Sequence, residues 1–291
     1  AREAGDMEGA RTWWTRATDK DNAAGMDLLG DLARDAGDME GARTWWTRAA
    51  ENGEATAMDF LGDLARDAGD MEGARTWWTR AADSGDSDAM VSLGRLAREA
   101  GDMEEARTWW IRAADKDNDH AMVRLGILAR EAGDTEGART WWIRAADKDN
   151  DHAMVSLGIL AHEAGDMEEA RTWWTRAAEN GDATAMDFLG VLAREAGDTE
   201  GARTWLSRAA ENGDATAMDF LGDLAREAGD TEGAGTWWSR AADKGNDHAM
   251  VSLGRLAREA GDMEEARAWW SRAADNGNSD AADLLAELSD D

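Results

Sequence analysis

The chain has 291 residues, with no Pro, Cys or Tyr, only 3 Phe, but 17 Trp and 31 Gly. Its 32 Lys and Arg stand against 62 Asp and Glu, a formal net charge of −30, and a polyanion of that size is repelled by phosphate backbones and anionic lipid surfaces. The lack of Cys excludes disulfides, thiolate zinc sites and thiol catalysis, and no run of about 18 apolar residues is present to insert into a bilayer. A hydrophobic content of 43% is near the globular average, which argues against disorder. Compartment is left open, although no basic-then-apolar leader opens the sequence.

A single period organises everything that follows. Ala-Gly-Asp begins at Ala4, Ala36, Ala68, Ala100, Ala132, Ala164, Ala196, Ala228 and Ala260, always 32 residues apart. A fixed period in this range is the mark of a repeat array. The first six residues read as the tail of a helix, and a second helix is expected from about Asp6 to Thr18, carrying Trp13 and Trp14. From there two helices alternate. In the unit Asp119 to Asn150, Ala121, Met122, Leu125, Leu128 and Ala129 share one helical face. Ala138, Trp141, Trp142, Ala145 and Ala146 share another. Gly133 is expected to end the first helix in the left-handed conformation, and Asp134 to cap the second. Glu105, Glu169 and Glu265, three residues after their capping Asp, could complete capping boxes. Polar clusters such as Asn180-Gly181-Asp182 or Asp147-Lys148-Asp149-Asn150 make the return turns. Such short connections force neighbouring helices antiparallel. The last element, Asp280 to Asp290, is a helix of the first type.

This unit resembles the tetratricopeptide repeat: Leu125-Gly126, Gly133-Asp134, Ala138, Trp142 and Ala145 fall at the family's spacings. The stretch from Trp173 to Gly190 is similar to the related Sel-like repeats. At 32 residues the unit is two shorter than usual, and Asn150 stands where a proline is common. The resemblance implies an all-α, right-handed α-solenoid of antiparallel helix pairs, about nine repeats forming one array over residues 1–291. It also implies a non-enzymatic scaffold that binds a peptide or protein on a concave face lined by the first helices.

Each recurrent residue has a bland reading beside a functional one. The Trp pairs could form a stacking ladder for sugars or cations; the second Trp of each pair instead matches the buried aromatic of the family, and Leu206 replaces it once. Glycines such as Gly94, Gly126 and Gly158 cost a helix about 1 kcal/mol each, so they point to close packing. Asp115-Lys116-Asp117-Asn118-Asp119 places carboxylates as calcium loops do, but lacks the Gly and the bidentate Glu of an EF-hand. The four histidines, His120, His152, His162 and His248, are too dispersed to share a metal. No catalytic constellation stands out from its copies in other repeats. No cofactor is implied.

Variation between repeats is therefore the better guide to a site. The candidate concave-face residues are Asp27; Asp59, Phe60 and Asp63; Val91 and Arg95; Val123, Arg124 and Ile127; Val155 and Ile159; Asp187 and Phe188; Asp219, Phe220 and Asp223; Val251 and Arg255. Acidic residues gather toward both ends of this series and favour a partner with basic segments. The rival account is drift after recent duplication. A second functional reading is structural: Trp13 and Trp14 at one end and Leu284, Leu285 and Leu288 at the other could dock head to tail, giving a homo-oligomer, filament or tube.

Overall fold

The computed structural model describes residues 22–287, and every regular element among them is an α-helix. The chain divides into two compact units, residues 1–150 and 151–291. The first unit holds α1 (Ala23–Asp35), α2 (Met39–Glu51), α3 (Ala55–Asp67), α4 (Met71–Asp83), α5 (Ser87–Glu99), α6 (Met103–Ala114), α7 (Asp119–Glu131) and α8 (Thr135–Ala146). The second holds α9 (Asp151–Glu163), α10 (Met167–Glu179), α11 (Ala183–Glu195), α12 (Thr199–Glu211), α13 (Ala215–Glu227), α14 (Thr231–Asp243), α15 (Asp247–Glu259), α16 (Met263–Asp275) and α17 (Ser279–Glu287). Within each unit every helix packs on the next, so the fold is an all-α helical-repeat solenoid.

The helix ends follow from the turn residues. Gly133 has φ +78°, which lets the Asp134 N–H turn back to the Ala129 carbonyl at 2.9 Å and close the end of α7. The Asp134 carboxylate then accepts from the Gly137 N–H at 2.9 Å and caps α8. In the return turns Gly181 and Gly213 occupy the left-handed position with φ +102° and +89°. Asp117 and Asp149 take the same position at +65° and +60°, a conformation that Asp tolerates better than most non-glycine residues. Asparagines then tie successive repeats: Asn118 Nδ2 donates to Asp88 at 2.7 Å and Asn150 Nδ2 to Asp119 at 2.6 Å.

The core is built from one contact repeated. Trp46, Trp78, Trp110, Trp142, Trp174, Trp238 and Trp270 are all 3% exposed or less. Each lies with the nitrogen edge of its indole on the mid-helix Gly of the preceding first-type helix. A Cβ added at Gly126 would fall 2.3 Å from Trp142 Nε1, which no real side chain permits. The helical glycines are thus seats for tryptophan, and the neighbouring methionines, Met90, Met122 and Met154 among them, fill the remaining space at 2% exposure or less.

Candidate interaction face

Among the described residues, the first member of each Trp pair, one helical step away, lies half-buried. In seven described repeats its ring carries the guanidinium of the Arg three residues later: Arg80 sits 4.5 Å from the Trp77 centroid, Arg144 4.6 Å from Trp141 and Arg240 4.4 Å from Trp237. Some of these arginines also reach back a repeat, as Arg144 does to the Ala114 carbonyl at 3.4 Å. The stacking face proposed for ligands is therefore occupied by the protein's own cations. Capping boxes do not form at Glu105, Glu169 and Glu265. The N–H groups of Asp102, Asp166 and Asp262, which those boxes need, are spent on the Ala97, Ala161 and Ala257 carbonyls. The glutamates accept instead from the indole N–H of Trp109, Trp173 and Trp269, at 3.2, 3.2 and 3.3 Å.

The variable positions on the first-type helices fall into two chemical kinds. Where valine stands, its backbone carbonyl takes the buried indole N–H: Trp110 donates to Val91, Trp142 to Val123, Trp174 to Val155 and Trp270 to Val251, all at 3.2–3.3 Å. Val251 is itself buried at 5%, so its side chain belongs to the core and not to an open face. Ile127, Ile159 and Arg95 are half-buried, whereas Arg124 and Arg255 are exposed.

Where aspartate replaces that valine, the chemistry changes. Asp27, Asp59, Asp187 and Asp219 are half-buried, and the Oδ1 atom of each is enclosed without a hydrogen-bond partner. Burial, reinforced by neighbouring carboxylates, raises Asp27 to about 6, Asp59 to about 7, Asp187 to about 7 and Asp219 to about 6. For Asp59 the neighbours are Asp86, Asp63 and Asp88, opposed only by Arg66; for Asp187 the neighbour is Asp214. Asp63 and Asp223 are also raised by burial, less strongly because arginines face them: Arg66 and Arg95 for Asp63, Arg194 for Asp223.

Phe60 and Phe188 are half-buried, each against a ring of the preceding second-type helix. Phe60 lies 4.9 Å from the Trp46 ring and Phe188 stacks 4.7 Å from Trp174, each on the tryptophan of the repeat before. The Arg34 guanidinium covers both Trp46 and Phe60, at 5.6 and 5.1 Å. These rings join repeats and are half-covered in doing so. Before Phe220 the position that holds tryptophan in the other repeats is taken by Leu206, which has no ring to stack on.

Trp46, Trp78 and Trp238 have no hydrogen-bond partner for Nε1, and their repeats carry Asp31, Asp63 and Asp223 one turn beyond the first Asp. Trp238 lies close enough to the Asp223 carboxylate to draw its pKa down against burial, though outside strict hydrogen-bond geometry. The repeat with Asp187 has Val191 at that second position. That repeat is the one with Leu206.

Of the end-to-end candidates, Trp13, Trp14 and Leu288 lie outside the described residues, as does the helix expected near Asp6 to Thr18. Leu284 and Leu285 are half-buried on α17. No helix among the described residues is long and apolar enough to cross a membrane.

The tetratricopeptide repeat profile matches residues 28–89, 60–121, 123–185 and 221–281, and a second profile of the same name matches 183–208. The chain belongs to the tetratricopeptide repeat family. Within it the fold is similar to a Sel1 repeat protein from Oxalobacter formigenes, at 26% identity and a TM-score of 0.72 over 95% of this chain and 90% of that one. It is also similar to c5321 of uropathogenic Escherichia coli, an antigen with an SLR fold, at 24% identity and a TM-score of 0.68 over 96% of this chain. The chain spans 66% of the length of that antigen. Cut9–Hcn1, a hetero-tetramer of APC/C, shares the fold at 14% identity and a TM-score of 0.55 over 91% of this chain and 58% of that one. No curated protein sequence is similar enough to this chain to count as a match. This tetratricopeptide array has the fold typical of protein–protein interaction scaffolds.

Proposed function

We propose that this tetratricopeptide array is a non-enzymatic scaffold that takes basic segments of a protein partner on the first-type helices of each unit. The observation that carries the reading is the set of enclosed carboxylate oxygens without partners, at Asp27 and Asp59 in the first unit and Asp187 and Asp219 in the second. A half-desolvated carboxylate with no donor of its own gains more from an incoming ammonium or guanidinium than a solvated one does. The net charge of −30 adds a long-range field that draws cationic segments in and weakens with salt.

Isothermal titration with a Lys/Arg-rich peptide and its Glu-substituted counterpart tests the proposal. The basic peptide should bind at about 150 mM salt and lose affinity as salt rises; the acidic one should not bind. A bound cation favours the ionised carboxylate, so binding should release protons and weaken as pH falls from 8 through 7 to 6. Asp59→Asn with Asp187→Asn should weaken binding several-fold and remove most of that pH dependence. Equal affinity for both peptides, or an unchanged double variant, would refute the assignment.

A further inference from the structure

Large apolar side chains left exposed among the described residues are Met39 at 44%, Met71 at 44%, Met103 at 42%, Ile111 at 39%, Met167 at 42% and Met263 at 45%. The five methionines share one register, the first residue of a second-type helix, directly after the capping Asp. They are a separate population from Met26, Met58, Met90 and Met122, which are 1–4% exposed. Helix formation does not require them. Thr135, Thr199 and Thr231 hold the same position in α8, α12 and α14, and Asp134, Asp198 and Asp230 still cap those helices.

The two units differ in how the methionines are arranged. In the first, Met39, Met71 and Met103 open three successive second-type helices, α2, α4 and α6, and form a row along the edge where first-type helices turn into second-type ones. In the second, Thr199 and Thr231 separate Met167 from Met263. Repeats in such arrays step by roughly one helix spacing, about 10 Å.

The row has acidic borders. Exposed Asp38, Asp70 and Asp102 precede the methionines and exposed Glu40, Glu72 and Glu104 follow them. Arg43, Arg75 and Arg107 come one turn later, and Arg75 is already paired with Glu105 at 2.8 Å. Each repeat is therefore net negative at this edge. That sign opposes an anionic membrane, a nucleic acid or a second copy of this chain, whose charge is −30. It suits a cationic partner with apolar side chains. Seven residues of an α-helix rise about 10.5 Å, which matches the spacing of the row, and methionine adapts its shape to varied apolar partners.

We propose that the Met39–Met71–Met103 row is a docking edge for a basic amphipathic α-helix of a partner protein, with one apolar side chain every seven residues seated between the methionines. It is a second surface, independent of the face of the first-type helices.

The test uses the full chain and a labelled Lys-rich helical peptide of three heptads with Leu at the seven-residue spacing. A control peptide has the same composition with the Leu positions scrambled. Fluorescence anisotropy should give at least tenfold tighter binding for the heptad peptide. Met39→Thr with Met71→Thr and Met103→Thr should lose about tenfold, with helicity and thermal midpoint unchanged, since the chain itself uses Thr at this register. Met167→Thr with Met263→Thr should bind as wild type, and Asp59→Asn with Asp187→Asn, which weakens both Lys-rich peptides alike through the other face, should keep the tenfold preference for the heptad peptide. Equal binding of the scrambled peptide, or undiminished binding by the triple Thr variant, would overturn the proposal. So would loss of that preference in the Asn double variant, which would place the helix on the other face.

Discussion

Trp142 and Trp141 are neighbours in sequence, yet about 100° of helical turn puts them in different environments. Trp142 is 1% exposed, donates to the Val123 carbonyl at 3.3 Å and rests on Gly126. Trp141 is half-buried beneath Arg144. Trp142→Ala should therefore cost about 3–5 kcal/mol, the range for deleting a large buried aromatic. Trp141→Ala should cost less, because a partly exposed cation–π contact contributes on the order of 1 kcal/mol. Gly126 gives the sharper check. In an open helix Gly→Ala stabilises by about 1 kcal/mol, but here the new methyl would meet the indole, so Gly126→Ala should destabilise. Urea unfolding of the three variants decides it; a stabilised Gly126→Ala would mean the tryptophan is not seated on that helix.

At the scale of the element, the helices differ most in how they begin. Asp182 and Asp214 cap α11 and α13 by accepting from Ala185 and Ala217 at 2.7 and 2.9 Å. Glu54 stands at the same place before α3 and makes no side-chain cap bond, because its extra methylene carries the carboxylate past the amides it would have to meet. Glu54→Asp should supply the missing cap and raise stability by about 0.5–1 kcal/mol, read as a higher urea midpoint; no gain would show that the α3 amides are already satisfied. Caps of this kind were legible in the sequence, since Gly-Asp recurs at a strict period and each residue has a single local job. So were the burial of the second Trp, through its match to the family's aromatic, and the close packing at the helical Gly, although not that the one rests on the other. The capping boxes were misjudged because Glu105, Glu169 and Glu265 had a competing donor, an indole one turn along the same helix. Enclosed oxygens such as Asp59 Oδ1 could not be foreseen at all. Their enclosure depends on how adjacent repeats close over them, and periodicity fixes the register of side chains without fixing those distances.

For the molecule as a whole, the same aspartates make stability depend on pH in an unusual direction. Asp27, Asp59, Asp187 and Asp219 have folded pKa values of about 6, 7, 7 and 6, against about 3.9 for an exposed Asp in the unfolded chain. Between those limits the folded state binds more protons than the unfolded state, so linkage makes stability fall as pH rises. The contribution is fully present below about pH 4 and is lost as pH climbs through 6 and 7. Asp247, lowered chiefly by the Asn278 hydrogen bond, works in the opposite sense, but it acts only below the usual carboxylate range and leaves the window from pH 5 to 8 unaffected. The urea midpoint should therefore be higher at pH 5 than at pH 8. Unfolding should also spread along neighbouring repeats, since each is stabilised by its contacts with the next. Asp59→Asn with Asp187→Asn, which installs a neutral side chain of the same shape, should raise the midpoint more at pH 8 than at pH 5 and so flatten its dependence on pH. A midpoint that rises with pH over this window, or a double variant that keeps the wild-type slope, would mean that these carboxylates are solvated in the folded protein. The partnerless oxygens on which the interaction face rests would then have water for a partner.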